Sequence, residues 1–576
     1  MFTGHVTPWF KLPLKSLRVV PLLAPLAVTL LSTPAAADGA TQQKIQPALL
    51  SEMQAHPLEQ IPVIVEMNPA TAPFSSGSNL TLANQAVSIL NLNGHSFGAL
   101  SIIQGAAGVA TSAGITAMSL LPQVATIEED AVVRPARPAN PGPAYPAGQL
   151  TSLYPQETNA TKVWQAGGTG RGVTVAVLDS GVANDADLTR NGNRVLAHVD
   201  FADAPNPQLP DPGGHGTHIA GTIAGDGSNS AGQFIGMAPK ANVIDVQVLD
   251  AKGNGRISSV LRGMEWALAH QQQYNIRVMN MSFGAPPLVS YKFDPFAAAA
   301  EIAWKRGVVV VAASGNTGPN SGTVASPGID PYIITVGSTD DQATLPLNDD
   351  MLAWFSSWGT AQDSVAKPDL LAPGRKVVSI LVPGSTLDTL MPDHEVVALN
   401  GWKYFRLTGT SMSTAVVSGA AALLLEHQSS LTPDQVKKIL VSTTQSYGSG
   451  TMAPGSGAGL LDANAAWASP IRGSTNVGLR QADALARTLY SIVYGQPLAW
   501  KNLTYLGTNW SGFTWLNLPW NDAAWDNIAW DNIAWDNIAW DNIAWDQTSW
   551  DNIAWDNIAW DSAGWDNIAW DSYSYD

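Results

Sequence analysis

The stretch Val173-Thr-Val-Ala-Val-Leu-Asp-Ser-Gly181 decides the fold class of this 576-residue chain. Near-continuous runs of apolar, β-branched residues are typical of strands that are buried on both faces of a parallel sheet. Comparable runs follow at 243–249, 308–312, 332–336 and 377–381. Helix-compatible segments lie between them, for example at 258–273 and 295–305. This alternation predicts an α/β domain over residues 151–470, with a doubly wound parallel sheet and catalytic groups at the carboxyl ends of strands.

Composition and charge exclude several classes of function. Charged residues make up 13% of the chain and hydrophobic residues 45%, which is a globular composition. The 29 basic and 46 acidic residues give a net charge of −17, which argues against electrostatic binding of nucleic acid or an anionic membrane. The chain has no cysteine, so disulfides, a thiol nucleophile and Cys-ligated zinc are excluded.

Three glycine-flanked segments carry the residue types of nucleophilic catalysis. Asp179 ends the first strand, His215 opens a small-residue helix, and Ser411 stands between Gly409 and an apolar run. Each residue alone is also explained as a helix cap or a turn former. A zinc site from His215 and His218 lacks a third nearby ligand. Together the three predict acyl transfer, because a serine hydroxyl needs an imidazole to take its proton and the imidazole needs a carboxylate to orient it.

Further motifs occur in the order found in one protease family. They are Asn280-Met-Ser-Phe-Gly284, Ala313-Ser-Gly-Asn316, Lys367-Pro-Asp369, Ala372-Pro-Gly374 and Gly457-Ala-Gly-Leu460. On these motifs the chain resembles the subtilisin-like serine proteases, the subtilases, over about residues 155–465. The resemblance implies a secreted serine endopeptidase with protein or peptide substrates. It implies no cofactor for the chemistry.

The resemblance also implies a role for each catalytic residue. Ser411 is the expected nucleophile, His215 the general base and then acid, and Asp179 the group that orients His215. Asn316 and the backbone N–H of Ser411 are the expected oxyanion donors. Out of this context Asn316 would be interpreted as a turn residue between two glycines.

Two further groups of residues are expected to contact substrate. By resemblance, an extended peptide is held between the segments Gly253-Asn254-Gly255 and Ser282-Phe283-Gly284. Glycine in such segments allows another backbone to approach closely. Ala313-Ser314-Gly315 and residues 325–328 are expected to line a roomy, largely apolar primary specificity pocket.

The sequence departs from the family pattern at two places. Ala415 stands where the family usually has proline, and we expect the helix after Ser411 to survive because alanine is a good helix former. Residues 225–232 lack the insertion that builds the family's strong calcium site. A structural calcium ion at Asp185 and Asp187 is an open alternative, but a solvated acidic turn is preferred and no metal ligand is assigned.

The N-terminal 150 residues are interpreted as export and maturation segments. Lys11, Lys15 and Arg18 precede an apolar run at 19–31 and an Ala-Ala-Ala cleavage site, which predicts a signal peptide over 1–37. An uncleaved interfacial anchor is the alternative. Residues 38–134 are expected to form a small α+β unit that resembles the family's inhibitor propeptide, an unrelated resident domain being the alternative. A Pro-rich linker follows at 135–150. Because of the predicted signal peptide, the expected location is extracellular, periplasmic or cell-surface associated.

The C-terminal region is repetitive. After a linker predicted at 471–499, residues 500–576 form an acidic tail of Trp-Asp-Asn-Ile-Ala pentapeptides with an aromatic residue at every fifth position. A five-residue step gives a single aromatic stripe on neither a helix nor a strand. Two interpretations therefore remain: a stacked array whose Trp rings contact glycans or a cell surface, and an acidic spacer without a ligand.

One rival function belongs to a different class. The catalytic domain would then be a scaffold, and the protein would bind a surface through its tail. The complete set of Asp179, His215, Asn316 and Ser411 favours the enzyme, because a scaffold has no need to keep all four.

Overall fold

The computed structural model describes residues 44–68, 80–135, 153–202, 209–479 and 481–482, together with the backbone of two paired strands at Thr504–Tyr505 and Thr508–Asn509. The predicted signal peptide, nearly all of the Pro-rich linker and the remainder of the repetitive tail lie outside these residues. No helix in the described ranges is long and apolar enough to cross a bilayer.

Residues 44–68 and 80–135 form a small α+β unit. Its antiparallel sheet has the strand order β2-β3-β1-β4. The strands are β1 (Ile61–Met67), β2 (Gly94–Leu100), β3 (Gly105–Ala110) and β4 (Val124–Glu129), and the helices are α1 (Pro47–Ala55), α2 (Leu80–Asn93) and α3 (Ser112–Ser119). A helix-compatible stretch at 107–119 in the sequence is thus only partly helical, because its first residues extend β3.

A mixed, mainly parallel sheet of eight strands forms the centre of the larger domain. Its order is β14-β13-β12-β10-β6-β8-β7, with β15 also paired to β13, and only β14 is antiparallel. Its strands are β6 (Thr174–Asp179), β7 (Val195–Asp200), β8 (Asn242–Gln247), β10 (Ile276–Met281), β12 (Val309–Ala313), β13 (Ile334–Asp340), β14 (Met351–Leu352) and β15 (Leu370–Pro373). The chain starts at β6, adds strands on one side and then crosses to the other, so the predicted α/β class is confirmed.

Helices cover this sheet. The major ones are α7 (His215–Ala224), α8 (Ile257–Ala269), α10 (Pro295–Lys305) and α12 (Thr410–His427). The shorter ones are α4 (Tyr154–Glu157), α5 (Ala160–Gln165), α6 (Ala186–Thr189), α9 (Gln271–Tyr274), α11 (Thr386–Leu390), α13 (Pro433–Ser442) and α14 (Ala463–Trp467). Helices α7 and α12 pack against each other, as do α8 and α10. Every residue of β6 is buried, which requires cover on both faces because successive side chains point to opposite sides.

Local sequence explains where these elements begin. The predicted helix at 295–305 matches α10 because Asp294 accepts hydrogen bonds from the N–H groups of Phe296 and Ala297, and Pro295 occupies the first turn. Helix α13 begins with a capping box between Thr432 and Gln435. Helix α12 is buried through Leu425, consistent with its position at the centre of the domain.

One predicted strand was assigned to the wrong sheet. The run at 377–381 forms β16 (Val377–Ile380), which pairs antiparallel with β18 (Lys403–Leu407), and β18 pairs with β17 (Glu395–Val397). This small sheet lies outside the central one. The run is apolar because it packs on two sides: Val377, Ile380 and Leu381 belong to the main core, and Val378 packs in a separate cluster with residues such as Tyr404.

The N-terminal unit has a hydrophobic core of its own, and its other face joins the core of the larger domain. Ile64, Leu100, Ile102 and Ile103 belong to the same buried cluster as the central strands. The backbone N–H of Ile102 donates a hydrogen bond of 2.5 Å to the carboxylate of Glu265 on α8. The last strand of the unit, β5 (Val132–Pro135), leaves its own sheet and pairs with the larger domain.

The region predicted as a C-terminal linker begins with an anchored segment. The Tyr332 hydroxyl donates to the carbonyl of Leu479 at 2.6 Å, and Asn476 bonds Tyr332 and Asp434. The N–H of Ala482 donates to the buried carboxyl of Glu301. The packed domain therefore extends beyond residue 470 to residue 482.

Candidate active site

Asp179 and His215 meet at the carboxyl end of β6. Asp179 is the last residue of that strand, and His215 is the first residue of α7. The imidazole Nδ1 lies 2.7 Å from Asp179 Oδ1, and the same oxygen accepts the N–H of Ser180. Asp179 is fully buried, whereas His215 keeps a small exposed fraction of 8%. The carboxylate therefore fixes the ring and leaves Nε2 directed away from it.

Asp211, which the sequence analysis did not single out, positions the start of α7. Its Oδ1 accepts the N–H of Gly214 at 2.7 Å and the hydroxyl of Ser180 at 2.8 Å, and its Oδ2 accepts the N–H of Thr217 at 2.8 Å. Gly214 has a φ of +88°, a conformation that favours glycine. The only sequence signal was an acidic residue four positions before the histidine.

The environment of His215 favours its charged form. Burial lowers the pKa of the imidazole, but the charge and hydrogen bond of Asp179 and the charge of Asp211 raise it, and the net pKa is raised above 6.5. The ring is therefore a stronger base than a free histidine. Such a base suits the transfer of a proton from a hydroxyl.

Ser411 lies in the first turn of α12 and is fully buried. Its Oγ donates to the carbonyl of Ser282 at 2.7 Å, and the Ser282 hydroxyl donates back to the carbonyl of Ser411 at 2.9 Å. No hydrogen bond joins Ser411 Oγ to His215 among the described contacts. Each of the two residues lies at the start of its helix, and these two helices pack against each other.

Asn316 is held beside the nucleophile by Thr410. Its Oδ1 accepts both the N–H and the hydroxyl of Thr410, each at 2.9 Å. These two bonds fix the plane of the amide, so its NH₂ group points away from Thr410. The first N–H groups of a helix have no intrahelical partner, which makes the Ser411 N–H a second donor at this place. The sequence analysis missed Thr410, although it directly precedes Ser411.

The predicted substrate segments flank strand β5. On one side Gly255 lies in β9 (Gly255–Arg256), where Val133 pairs with Gly255. On the other side Phe283 and Gly284 form β11 (Phe283–Gly284), where they pair with Pro135 and Arg134. Gly253 and Asn254 precede β9 directly, and a Cβ at Gly253 would lie 3.1 Å from the Pro135 ring. Ser282 precedes β11, next to Ser411.

The predicted specificity pocket lies beside β11. Ala313 ends β12, and the carbonyl of Ser314 accepts the N–H of Ala325 at 2.9 Å. Gly315 has a φ of +109°, and a Cβ there would lie 3.0 Å from the Ser357 hydroxyl. A Cβ at Gly284 would meet Ala325 at 2.7 Å. Residues 313–315 and 325–328 are thus adjacent, as expected for two walls of one pocket.

Ala415 lies in the interior of α12. The helix runs unbroken from Thr410 to His427, as expected. Position 415 is the sixth residue of the helix and lies beyond its first turn. A proline there would remove the intrahelical N–H donor to the carbonyl of Ser411, so alanine keeps that bond.

Asp187 is not part of a solvated turn, contrary to the expectation. It is 1% exposed, its Oδ1 accepts the N–H of Asn229 at 2.6 Å, and its Oδ2 accepts the hydroxyl of Tyr404 at 2.6 Å. Asp185 caps α6 and is bonded by Asn229. Burial raises the pKa of Asp185 to about 6. Both carboxylate oxygens of Asp187 already accept hydrogen bonds, so Asp185 and Asp187 do not fit a calcium ion. In the described ranges, no group of three acidic or histidine residues forms a metal site.

Comparisons with known proteins support one family. A family model described as the Subtilase family matches residues 170–459, about half of the chain. Serine protease AprX of Bacillus subtilis is 41% identical over 284 residues, which cover 48% of this chain and 62% of AprX. Subtilisin Savinase of Lederbergia lenta is 37% identical over 301 residues, 52% of this chain and 91% of Savinase.

A solved structure gives the same result for the fold. Fervidolysin from Fervidobacterium pennivorans, described as a keratinolytic enzyme related to subtilisin, matches with a TM-score of 0.52 and 22% identity. The match covers 72% of this chain and 62% of fervidolysin. With the central sheet, the family match and the relatives in agreement, the chain belongs to the subtilase family and is a subtilisin-like serine protease.

Proposed function

We propose that the protein is an exported serine endopeptidase that is made as a preproenzyme. In this proposal residues 1–37 direct export, residues 38–134 act as an intramolecular inhibitor, and Asp179, His215, Ser411 and Asn316 hydrolyse peptide bonds. The chemistry uses side chains and backbone N–H groups only. Protein or peptide substrates would bind as an extended strand.

One observation carries the proposal: an extended segment of the chain already occupies the cleft. Strand β5 lies between β9 and β11, and its direction leads from Val132 to Pro135 towards Ser282. Backbone pairing on both sides is how a groove binds a peptide with little demand on its sequence. The segment therefore stands in for the acyl half of a substrate.

The proposed reaction begins with rotation of the Ser411 side chain from the Ser282 carbonyl towards His215. Ser411 Oγ attacks the carbonyl carbon of the substrate, and its proton passes to Nε2 of His215. The oxyanion accepts hydrogen bonds from the Asn316 NH₂ group and the Ser411 N–H. Asp179 keeps Nδ1 protonated and stabilises the imidazolium.

Collapse of the tetrahedral intermediate completes acylation. The C–N bond breaks, and the leaving amine takes the proton from His215 Nε2. Water then attacks the ester carbonyl, gives its proton to His215, and releases the carboxylic acid as Ser411 recovers its proton. Proton and bond counts balance without a cofactor.

The pairing of β5 with β11 indicates where the chain is processed. Arg134 pairs with Gly284 and Pro135 with Phe283, so the paired strand runs towards Ser282, the residue directly before Phe283. Ser282 is the residue whose carbonyl accepts the nucleophile's hydroxyl. We therefore propose that the chain is cut after Ala136, the residue that follows Pro135 in the sequence.

The proposed test uses the full chain with and without the nucleophile. Wild type is expected to clear casein and to yield a mature product that begins at Arg137. Ser411→Ala is expected to lose activity by a factor on the order of 10⁴ or more and to remain uncut. Ser413→Ala is the matched control, because that hydroxyl bonds the Ala372 carbonyl and lies two residues away in the same helix. It should keep activity.

Two results would contradict the proposal. Equal clearing of casein by wild type and Ser411→Ala would remove Ser411 as the nucleophile. A mature N-terminus before residue 120 would exclude residues 38–134 as the inhibitor. A protein that binds glycans or cells but never cleaves casein would instead support the rival, a scaffold whose tail carries the function.

A further inference from the structure

Helix α8 is capped by a residue of the N-terminal unit. Its own N-cap residue, Arg256, makes no capping hydrogen bond with its side chain within the described part of the chain. Asp130 supplies the cap instead: Oδ1 accepts the N–H of Ser258 at 2.9 Å and Oδ2 accepts the Ser258 hydroxyl at 2.7 Å. Asp130 is fully buried and Ser258 is 1% exposed. The start of α8 therefore binds a carboxylate in this structure. That carboxylate, the side chain of Asp130, belongs to the segment that the proposed maturation removes.

Two arginines surround the same carboxylate. Burial raises the pKa of Asp130, while the bonds from Ser258 and the charges of Arg256 and Arg262 act in the opposite direction. Arg256 also donates to the Asp130 carbonyl at 2.9 Å. The nearest opposing charges are Glu129, which interacts with Arg256, and Glu265, which interacts with Arg262. A helix N-terminus with a hydroxyl and two guanidinium groups favours an anion.

Open space adjoins this site. A cavity of about 280 Å³ lies between the N-terminal unit and the larger domain, beside the start of α8. It is lined by Arg256, Ser258 and Arg262 on one side and by Pro62, Phe97 and Val109 on the other. The helix start thus has room beside it for a side chain longer than that of aspartate.

Asp130 belongs to the same extended segment as β5. It precedes Val132 by two residues and is the seventh residue back from the proposed cut after Ala136. The pairing of Val132 with Arg256 continues the cleft directly into the start of α8. In the N-terminal unit the N–H of Asp130 is also held by the carbonyl of Pro62, and a substrate that continued along the same path would bring its own seventh residue to Ser258.

We infer that Arg256, Ser258 and Arg262 form a carboxylate subsite that selects substrates with Asp or Glu seven residues before the cleaved bond. The inference rests on the proposed protease function and adds a substrate class to it. Once the N-terminal unit has left, the N–H and hydroxyl of Ser258 lose the carboxylate that accepts their hydrogen bonds, and Arg256 and Arg262 lose the nearby charge of Asp130. A substrate carboxylate restores those bonds, so the subsite acts in binding rather than in the chemical step.

The test compares peptides on the mature enzyme produced from the full chain. Two peptides carry the sequence of residues 127–140 with Gln at positions 128 and 129, and differ only in Asp or Asn at position 130. A third, short peptide begins at Val132. We expect kcat/KM to be about tenfold higher for the Asp peptide than for the Asn peptide, mostly through KM, because a charged hydrogen bond is lost in the latter.

An enzyme variant tests the residues themselves. In Ser258→Ala/Arg262→Gln the ratio of Asp to Asn peptide, each normalised to the short peptide, should fall to near one. Arg171→Gln is the matched charge control, because Arg171 is exposed and precedes β6 at the end remote from Asp179. It should keep the tenfold ratio.

The outcomes separate the inference from the proposed function. Cleavage of the short peptide with equal kcat/KM for the Asp and Asn peptides would overturn the inference and leave Asp130 as a cap of the precursor only. An unchanged ratio in the double variant would likewise overturn it. Failure to cleave even the short peptide would overturn the proposed function, and the inference with it.

Discussion

Tyr404 donates a 2.6 Å hydrogen bond to Asp187 from 217 positions further along the chain. The bond joins strand β18 to helix α6, and the same carboxylate is also bonded by the N–H of Asn229. Asn400, in the turn between β17 and β18, donates to the carbonyl of Asn229. Hydrogen bonds within the chain therefore satisfy a buried carboxylate that a metal ion would otherwise be needed to neutralise.

This arrangement predicts the response to chelators and to loss of the hydroxyl. Tyr404→Phe should lower the free energy of unfolding by about 1–2 kcal/mol, because Asp187 keeps its burial but loses a donor. A chelator should leave the melting temperature of the wild type unchanged. Val397→Ala, at an exposed position of the same hairpin, is the control. Differential scanning calorimetry checks both statements, and a large fall in melting temperature with chelator would contradict the account.

Thr410 is predicted to act on turnover through Asn316. Thr410→Val removes the hydroxyl that bonds Asn316 Oδ1, so the amide is held less firmly and kcat should fall about tenfold with little change in KM. Asn316→Ala should lower kcat on the order of 10²-fold or more. In the double variant the two losses should not add, because both act on one donor. Additive losses in a double-mutant cycle would show that Thr410 acts elsewhere.

The activity should have an acid limit set by His215. The general base must be neutral, and the pKa of His215 is raised above 6.5, so kcat/KM should be lost as the pH falls through a midpoint above 6.5. Asp211→Asn removes one of the charges that raise this pKa, so the midpoint should move to lower pH. Rate profiles on a peptide of constant charge measure it. An unmoved midpoint would separate Asp211 from the titration of His215.

Glu157 is predicted to make the fold less stable in alkaline solution. Burial and the nearby Asp341, Asp350, Asp349 and Asp340 raise its pKa to about 10, and its carboxyl oxygens have no hydrogen-bond partner among the described residues. Between the unfolded value of 4.5 and about 10, the folded state binds more protons than the unfolded state, so stability falls as pH rises.

Glu157→Gln mimics the protonated carboxyl and removes the part of the pH dependence of stability that comes from Glu157. Its melting temperature should match that of the wild type near pH 5 and exceed it near pH 9. Asp388→Asn, an acidic change in the remote helix α11, should leave the slope of stability against pH unchanged. The same difference in melting temperature between Glu157→Gln and wild type at both pH values would contradict the assignment.

Residues with a local signature could be predicted from the sequence, and residues that act through distant partners could not. Asp179 and His215 were identified because each ends or begins an element beside glycine. Strand β10 was missed because Arg277 and Asn280 interrupt its apolar run. Strand β5 was missed because it has four residues and its partner Gly255 lies 122 positions away. The run at 377–381 looked like a central strand, and only the hairpin that pairs with it places it elsewhere.

The shared core of the two units has a consequence for what happens after a cut. The N-terminal unit contributes Ile102, Ile103 and Val133 to the core of the larger domain. Separation of the unit from the domain would expose apolar surface to water on both of them. Cleavage alone would therefore leave the N-terminal unit bound to the larger domain as a non-covalent complex. Destruction of the freed fragment, rather than weak affinity, would make its departure irreversible, and the delay before full activity would follow the lifetime of that fragment.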